Sequence, residues 1–179
     1  MTGTSRKNIR QRYEKERRRN LLASPGIHEM IIVLDHLKSG YNIPKIFRSA
    51  EAFGAHAVHL VGIEIFDPAP AKGSFRKVPA RFHDHFGTCH AALTEQDYHL
   101  FVLDPSAATP LHKAKLPPRS AFIFGHEEFG QSFECSAYPG LQSLSIPQFG
   151  AVESLNVSVA ASIVMYEYVR HQMLSGSNG

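Results

Sequence analysis

The side chains with the clearest chemical potential lie in segment 125–132, which reads GHEEFGQS and follows a predicted strand. Its two glycines, with four residues between them, resemble the loop that cradles nucleotide phosphates, in which a lysine precedes Ser or Thr. Gln131 takes the place of that lysine, and the carboxylates of Glu127 and Glu128 would repel phosphate. We therefore reject a nucleotide triphosphatase. What remains is a glycine-flanked strand end, a position that lines the ligand crevice in open α/β sheets.

A second group of reactive side chains lies between residues 83 and 90. His83, His85, Cys89 and His90 have a spacing that could offer zinc ligands. Closed zinc sites usually show two well-spaced ligand pairs, and no second pair is found elsewhere among the 11 histidines. We therefore predict no metal site.

Two further side chains, Ser154 and Arg48, each have a simple structural interpretation. Ser154 could act as a nucleophile with His126 or His171 as base, but no G-x-S-x-G elbow surrounds it, and a helix cap is the simpler role. Arg48 lies among apolar residues of a predicted helix, so its stem would pack while its guanidinium reaches an edge. A surface salt bridge is the simpler interpretation of this arginine.

The elements that must position these residues alternate between strands and helices. Short apolar runs predict strands at 30–34, 58–61, 99–103, 121–124 and 144–146. Helical spacing predicts helices at 5–22, 43–53, 88–95 and 154–174. In the second of these, Asn42 is the predicted N-cap and Gly54 lies just past the end. Residues 63–87 are predicted to be loop with short elements. The alternation predicts an α/β domain with a mainly parallel sheet and flanking helices.

Composition excludes several classes of protein. The chain has 179 residues, of which 43% are hydrophobic and 20% charged, a balance that excludes a wholly disordered or fibrous chain. The longest apolar run, at 30–34, is too short to span a bilayer, and the first residues do not resemble a secretory signal. Two cysteines make no disulfide framework, so we expect a cytoplasmic protein that is not bound to a membrane.

The charge is distributed unevenly along the chain. Residues 1–20 carry eight Lys or Arg and two Glu, a net charge of +6, whereas the remaining 159 residues carry a net −3. We therefore predict a basic N-terminal helical arm over 1–26, a catalytic domain over 27–174 and a disordered tail over 175–179. Such an arm is typical of contact with nucleic acid or an anionic surface, although a solvated helix face or a disordered tail has the same composition.

Three motifs follow one another along the body. The first runs from Asn42-Ile43-Pro44 through Arg48-Ser49-Ala50 to Gly54, the second is 124–130, and the third, 146–160, reads IPQFGAVESLNVSVA. In order and spacing they resemble the SpoU/TrmH family of RNA 2′-O-ribose methyltransferases, within the SPOUT superfamily, over roughly residues 28–172. The third motif is the most specific of the three.

The resemblance implies a fold, a methyl donor and a set of site residues. It implies a SPOUT-type fold with a deep C-terminal trefoil knot, a homodimer, and S-adenosylmethionine as cofactor. Backbone groups around the donor would come from Leu103, Gly125, Ile146, Ser154 and Leu155. The resemblance makes Arg48 catalytic, with Asn42, Glu127, Ser154 and Asn156 positioning Arg48 and the ribose.

The expected reaction is methyl transfer to a ribose 2′-hydroxyl of a structured RNA, either tRNA or rRNA. The pKa of arginine, above about 12, makes Arg48 a poor base near neutral pH, so we expect it to clamp a phosphate and stabilise the developing alkoxide. A non-catalytic RNA-binding protein on the same scaffold is the alternative. In either case the arm would contact RNA through Arg6, Lys7, Arg10, Arg12, Arg17, Arg18 and Arg19.

Overall fold

A computed structural model describes residues 3–38 and 40–176 and is organised around a six-stranded sheet. The strands are β1 (Met30–Asp35), β2 (Ala57–Val61), β3 (Ala80–His83), β4 (His99–Leu103), β5 (Ser120–Phe124) and β6 (Gln142–Leu144). Every pairing is parallel, in the order β3-β2-β1-β5-β4-β6. The predicted α/β class with a parallel sheet is confirmed.

Four helices cover the two faces of this sheet: α1 (Gly3–Asn20), α2 (Asn42–Ala52), α3 (Phe86–Glu95) and α4 (Val157–Gly176). Strand β1 is buried along its whole length because it lies at the centre of the sheet, and its sequence MIIVLD supplies apolar side chains to both faces. Ile31 and Val33 join the core against α3, whereas Met30, Ile32 and Leu34 join the core against α2 and α4.

The order of the strands reverses between β1 and β5. From β1 the chain builds outward through β2 and β3, and it then returns to place β4 and β5 on the other side of β1. Because all strands are parallel, their carboxyl ends share one edge, and a crevice opens there at the point of reversal. Segment 125–132 begins at the carboxyl end of β5, directly at this edge.

Helix α1 is docked on the body rather than free. The ring of Tyr13 is 2% exposed and packs edge-on against Phe66 and parallel to Phe75. The buried side-chain amide of Asn20 donates to the carbonyls of Phe75 and Val78 and accepts from the Ala80 amide. The helix predicted over 5–22 is therefore present as α1, and Tyr13 and Asn20 in its C-terminal half are buried, whereas the division into a basic arm and a catalytic domain stays a prediction.

Three local predictions are wrong, each because a long-range contact decides the outcome. Strand β3 lies in the segment predicted as loop, since this short edge strand is ordered by pairing with β2. The last strand lies two residues earlier than predicted, where it pairs with β4. The helix predicted from residue 154 begins at Val157, and at its other end it reaches Gly176, which makes the first two residues of the predicted tail helical. Residues 177–179 lie outside the described residues.

The trefoil knot implied by the resemblance stays a prediction. Among the helices of the described chain, none combines the length and apolar character needed to cross a bilayer.

Candidate active site

A cavity of about 570 Å³ opens at the carboxyl edge of the sheet, between the ends of β4, β5 and β6 and the start of α4. This volume is within the range of small-molecule sites, about 300–1,000 Å³. The family resemblance implies five residues around a methyl donor. All five line the cavity: Leu103, Gly125, Ile146, Ser154 and Leu155. They come from three separate strand ends and the loop before α4, so only the tertiary fold brings them together.

The cavity wall carries negative charge. Asp104, Glu127 and Glu128 contribute carboxylates to it, and none of the described lining residues is Lys or Arg. Glu128 is ion-paired with Nζ of Lys38 over 2.6 Å, so the net negative charge comes from Asp104 and Glu127. Asp104 and Gln148 were missed by sequence reasoning. The position of Asp104 directly after a strand was the only signal that could have found it. The Oε1 atom of Gln148 is buried and has no hydrogen-bond donor among the described residues.

Glycine is required for a different structural reason at each end of segment 125–130. A Cβ atom on Gly125 would lie 2.5 Å from the carbonyl carbon of Gly130, so a side chain there would collide with backbone. Gly130 has a φ of 72°, a left-handed conformation that favours glycine. Backbone hydrogen bonds in both directions between His126 and Gly130, of 2.7 and 2.9 Å, close the loop. This closed loop holds the Glu127 and Glu128 side chains at the cavity rim.

Three predicted site residues form a chain of hydrogen bonds beside the cavity. The Asn156 side-chain amide donates to Oδ1 of Asn42 over 3.2 Å, and the Asn42 amide donates to Glu127 over 2.9 Å. The backbone amide of Lys38 donates to the second oxygen of Glu127 over 3.4 Å. The chain therefore connects the loop after β5 to the first residues of α2 and the loop before α4.

The carboxylate of Glu127 is held in its charged form. Burial acts to raise its pKa, but the hydrogen bonds from Asn42 and the backbone outweigh burial and hold the pKa below its usual range. An ionised carboxylate only accepts hydrogen bonds, so Asn42 must turn its NH₂ group toward Glu127. Its carbonyl oxygen is thereby left to accept from Asn156.

The helix caps differ from those predicted. Asn42 is the first residue of α2, and Tyr41 occupies the N-cap position without a side-chain capping bond. The Asn42 side chain instead donates to Glu127. At α4, Oδ1 of Asn156 accepts from the Ser158 amide over 3.0 Å and from its hydroxyl over 2.6 Å. Asn156 therefore performs the capping role that sequence reasoning considered for Ser154.

Ser154 is exposed in the loop before α4 and lines the cavity. Its hydroxyl makes no hydrogen bond to a described residue, neither to His126 nor to His171. The His126 ring instead accepts from the backbone amides of Glu128 and Phe129 within its own loop. A serine nucleophile activated by histidine has no support in this geometry.

Arg48 lies on the same helix as Asn42 but apart from the hydrogen-bond chain. It is exposed, does not line the cavity and makes no hydrogen bond or ion pair with any described residue. The surface salt bridge that the sequence favoured is therefore not formed. Six residues separate Arg48 from Asn42, which is about 9 Å along a helix. Its neighbour Ser49 bonds to Ser162 over 2.8 Å and so fixes α2 against α4.

A buried carboxylate anchors the far end of the segment. Asp35, at the end of β1, is fully buried and accepts from the Ser132 amide over 2.6 Å and from its hydroxyl over 2.8 Å. Nδ1 of His36 lies 2.8 Å from the same carboxylate. Segment 125–132 is thus tied to the centre of the sheet, and the cavity wall that it forms is fixed at both ends.

The predicted RNA-contacting residues on α1 fall into two groups. Four of them already contact protein groups: Arg10 with Glu14, Arg19 with Glu16, Arg12 with Asp67, and Arg17 over the Phe82 ring. Lys7 and Arg18 are exposed and have no such partner within the described chain, and neither has Lys15. The side chain of Arg6 lies outside the described residues.

The chain is similar in sequence to proteins of known activity. The sequence profile described as "SpoU rRNA Methylase family" matches residues 29–166. A 23S rRNA (guanosine-2′-O-)-methyltransferase RlmB of Bordetella pertussis is 30% identical over 148 residues, which are 80% of this chain and 60% of the relative. A tRNA (guanosine(18)-2′-O)-methyltransferase of Thermus thermophilus is 28% identical over 174 residues, 94% of this chain and 89% of the relative. The chain thus spans about 60% of the length of the rRNA-modifying relative.

Solved structures show the same fold. The SpoU methyltransferase AviRb from Streptomyces viridochromogenes superposes with a TM-score of 0.73 at 26% identity, over 85% of this chain and 63% of that one. A tRNA-modifying TrmH/SpoU enzyme of A. aeolicus gives a TM-score of 0.75 at 20% identity, over 91% and 85% of the two chains. AviRb has also been solved in complex with the cofactor AdoMet.

Proposed function

We propose a function for this chain, which belongs to the SpoU rRNA methylase family: it transfers a methyl group from S-adenosylmethionine to a ribose 2′-hydroxyl of RNA. The observation that carries the proposal is the cavity at the carboxyl edge of the sheet. Five residues expected around the methyl donor line it, and the Asn156–Asn42–Glu127 chain lies beside it.

The chemistry of the cavity fits this donor. S-adenosylmethionine supplies a methyl group that is already activated on a positively charged sulfonium centre. A wall with two carboxylates, Asp104 and Glu127, that form no ion pair with a described Lys or Arg suits a ligand of net positive charge. The unpaired Oε1 of Gln148 would accept a hydrogen bond from an amino group of the ligand. A buried acceptor without a hydrogen-bond donor costs free energy, which such a contact would recover.

The protein itself must align the ribose hydroxyl with the methyl group and help to remove its proton. We assign the alignment to the hydrogen-bond chain, because Asn42 and Asn156 are fixed by Glu127 at one end and by the α4 N-terminus at the other. Rigid polar groups of this kind hold a substrate without reorganising during the reaction.

Arg48 is proposed to bind the RNA phosphate beside the target ribose. Its exposed guanidinium is uncommitted among the described residues, and it projects from the helix that also carries Asn42. A guanidinium donates two parallel hydrogen bonds to a phosphate and keeps its charge at any physiological pH. Arg48 would then orient the nucleotide and stabilise the alkoxide that develops as the hydroxyl loses its proton.

Either tRNA or rRNA remains the proposed substrate class. We further propose that two copies associate, because Val159, Ile163 and Tyr166 place an exposed apolar stripe on one face of α4. This face adjoins α2, the helix that carries Arg48, through the Ser49–Ser162 contact.

Two measurements test the proposed function. Calorimetric titration with S-adenosylmethionine should show one binding event per chain, and RNA incubated with protein and donor should acquire 2′-O-methyl marks. The Arg48→Gln variant should keep donor binding and lose methyl transfer, because Arg48 lies outside the cavity wall. Absence of donor binding at millimolar concentration would contradict the proposal and favour a non-catalytic RNA-binding protein.

A further inference from the structure

A cluster of three potential metal ligands lies outside the proposed active site. His59 of β2, His83 at the end of β3 and Cys89 of α3 bring Nδ1, Nε2 and Sγ together, and all three atoms lie within 4.8 Å of one another. His59 is 5% exposed, Cys89 is fully buried and His83 is half-buried. The parallel pairing of β2 and β3 creates the cluster, since His83 pairs with Val61, two residues beyond His59.

Only two of the four residues with zinc-ligand spacing in segment 83–90 belong to this cluster. His83 and Cys89 join the cluster, whereas the His90 ring packs against Tyr138 at 4.8 Å and His85 occupies the N-cap position of α3. The third ligand, His59, lies 24 residues before His83, a separation from which no spacing rule would have selected it. The sequence alone predicts no metal because no second well-spaced ligand pair accompanies residues 83–90.

The separations between the ligand atoms match tetrahedral coordination. With Zn–N bonds of about 2.05 Å and Zn–S bonds of about 2.3 Å, a tetrahedron requires about 3.3 Å between nitrogens and about 3.6 Å between nitrogen and sulfur. Nδ1 of His59 lies 3.1 Å from Nε2 of His83 and 3.6 Å from Sγ of Cys89. The third pair, Nε2 of His83 and Sγ of Cys89, lies within 4.8 Å, so one ion would contact all three atoms once these two side chains have closed to the tetrahedral separation.

The surrounding charges permit a cation. Asp35 acts electrostatically on Cys89 and Asp84 on His83, and both supply negative charge, whereas Arg81 and His56 act on His59 with positive charge. A neutral imidazole offers a lone pair to a metal, and a thiol must lose its proton to become a ligand, so binding must displace one proton from Cys89.

We propose that His59, His83 and Cys89 bind one divalent cation of the Zn²⁺ class, with a fourth position open to solvent beside half-buried His83. Two imidazoles and one thiolate are a donor set that suits a borderline-soft ion with tetrahedral geometry. The ion would join β2, the edge strand β3 and α3, three elements otherwise held by packing and strand pairing. Binding converts the Cys89 thiol to a metal thiolate and releases one proton per ion.

The test uses the full-length protein, stripped with a chelator and titrated with Co²⁺ and then Zn²⁺. Co²⁺ should give the visible bands of a tetrahedral site together with a thiolate charge-transfer band, at one ion per chain, and Zn²⁺ should displace it. Zn²⁺ should also raise the melting temperature and release one proton per ion bound.

Matched variants separate this site from adventitious binding. Cys89→Ser should lose the charge-transfer band and the thermal shift, whereas Cys135→Ser, at the exposed cysteine, should keep both. His83→Gln should lose the tetrahedral spectrum and His90→Gln should retain it. If stripped wild-type protein gives no thiolate band, or if Cys135→Ser removes it, the cluster is a hydrogen-bonded polar group only. Binding of S-adenosylmethionine, measured in parallel, should not depend on the metal, so the two proposals fail independently.

Discussion

The direction of each hydrogen bond in the Asn156–Asn42–Glu127 chain is set by the carboxylate at its end. Glu127 can only accept, so the Asn42 amide must donate to it and accept from Asn156. The Asn156 amide at the far end of the chain has a fixed orientation as well, because its Oδ1 accepts from the backbone at the N-terminus of α4. A single charged residue thus orders two amide groups whose orientation the sequence motifs leave open.

We expect the stabilising effect of Glu127 to depend on pH. Its folded-state pKa lies below the usual value of 4.5, so the carboxylate stabilises the fold above that value, and the effect is lost as the pH falls through the folded pKa. The difference in unfolding free energy between wild type and Glu127→Gln should be constant near neutral pH and shrink at acidic pH. Chemical denaturation at several pH values measures this difference, and a difference independent of pH would contradict the assignment.

The Arg48→Lys variant tests what the guanidinium contributes. Lysine keeps the positive charge but loses the planar fork that contacts a phosphate through two bonds. We expect turnover on RNA to fall by about tenfold or more, since one well-formed charged contact is worth about 1.5–3 kcal/mol. Donor affinity should not change. Turnover near that of wild type, in single-turnover assays, would exclude the bidentate contact.

At the scale of the elements, α1 combines a structural face and a basic face. Lys7, Lys15 and Arg18 fall within about 80° of one another around the helix, and Tyr13 lies roughly opposite. The buried side holds the aromatic cluster with Phe66 and Phe75, so deleting the helix would expose core residues. Charge substitution is therefore a cleaner probe of RNA binding than truncation.

Replacing Lys7, Lys15 and Arg18 together with Gln should weaken RNA binding without unfolding the protein. If each contacts one phosphate, the slope of log affinity against log salt should fall by about 2–3. A control variant with Lys72, Lys113 and Lys115 changed to Gln removes the same charge from exposed positions elsewhere. Equal salt slopes for the two variants would contradict direct contact between α1 and RNA phosphates, because the net charge of the protein alone would then explain the loss of affinity.

The structural face of α1 depends on Asn20. Its side chain satisfies three backbone groups of the segment that leads into β3. Asn20→Ala should lower the unfolding free energy by about 2–3 kcal/mol, because buried backbone groups lose their partners. Asn8→Ala, at an exposed position of the same helix, should change it by less than about 0.5 kcal/mol. Denaturant titration measures both, and equal losses would show that α1 does not need this contact.

At the scale of the whole molecule, the apolar stripe on α4 predicts self-association. Val159 and Tyr166 are 47% and 58% exposed, on a helix whose opposite face packs into the core. Val159→Asp combined with Tyr166→Glu should convert a dimer to monomers in sedimentation velocity, since charge in an apolar interface is costly. Leu22→Asp, at an 87% exposed position, is the control. A monomeric wild type at micromolar concentration would refute the association.

The sequence by itself determined four of the six strands, most of the helices and five of the residues around the cavity. Strands 30–34 and 99–103 could be found because buried parallel strands are continuous apolar runs, a property of neighbouring residues. Leu103, Gly125, Ile146, Ser154 and Leu155 were identified through motif resemblance, which likewise depends on local order.

Only the tertiary structure decided which distant groups meet. It showed that Asn42 bonds to Glu127 instead of capping its helix, that Asp104 and Gln148 complete the cavity, and that β3 is a strand. It also joined His59 to His83 and Cys89. Each outcome depends on strand order and on contacts between residues tens of positions apart, whose energies exceed the local preferences that a sequence pattern records.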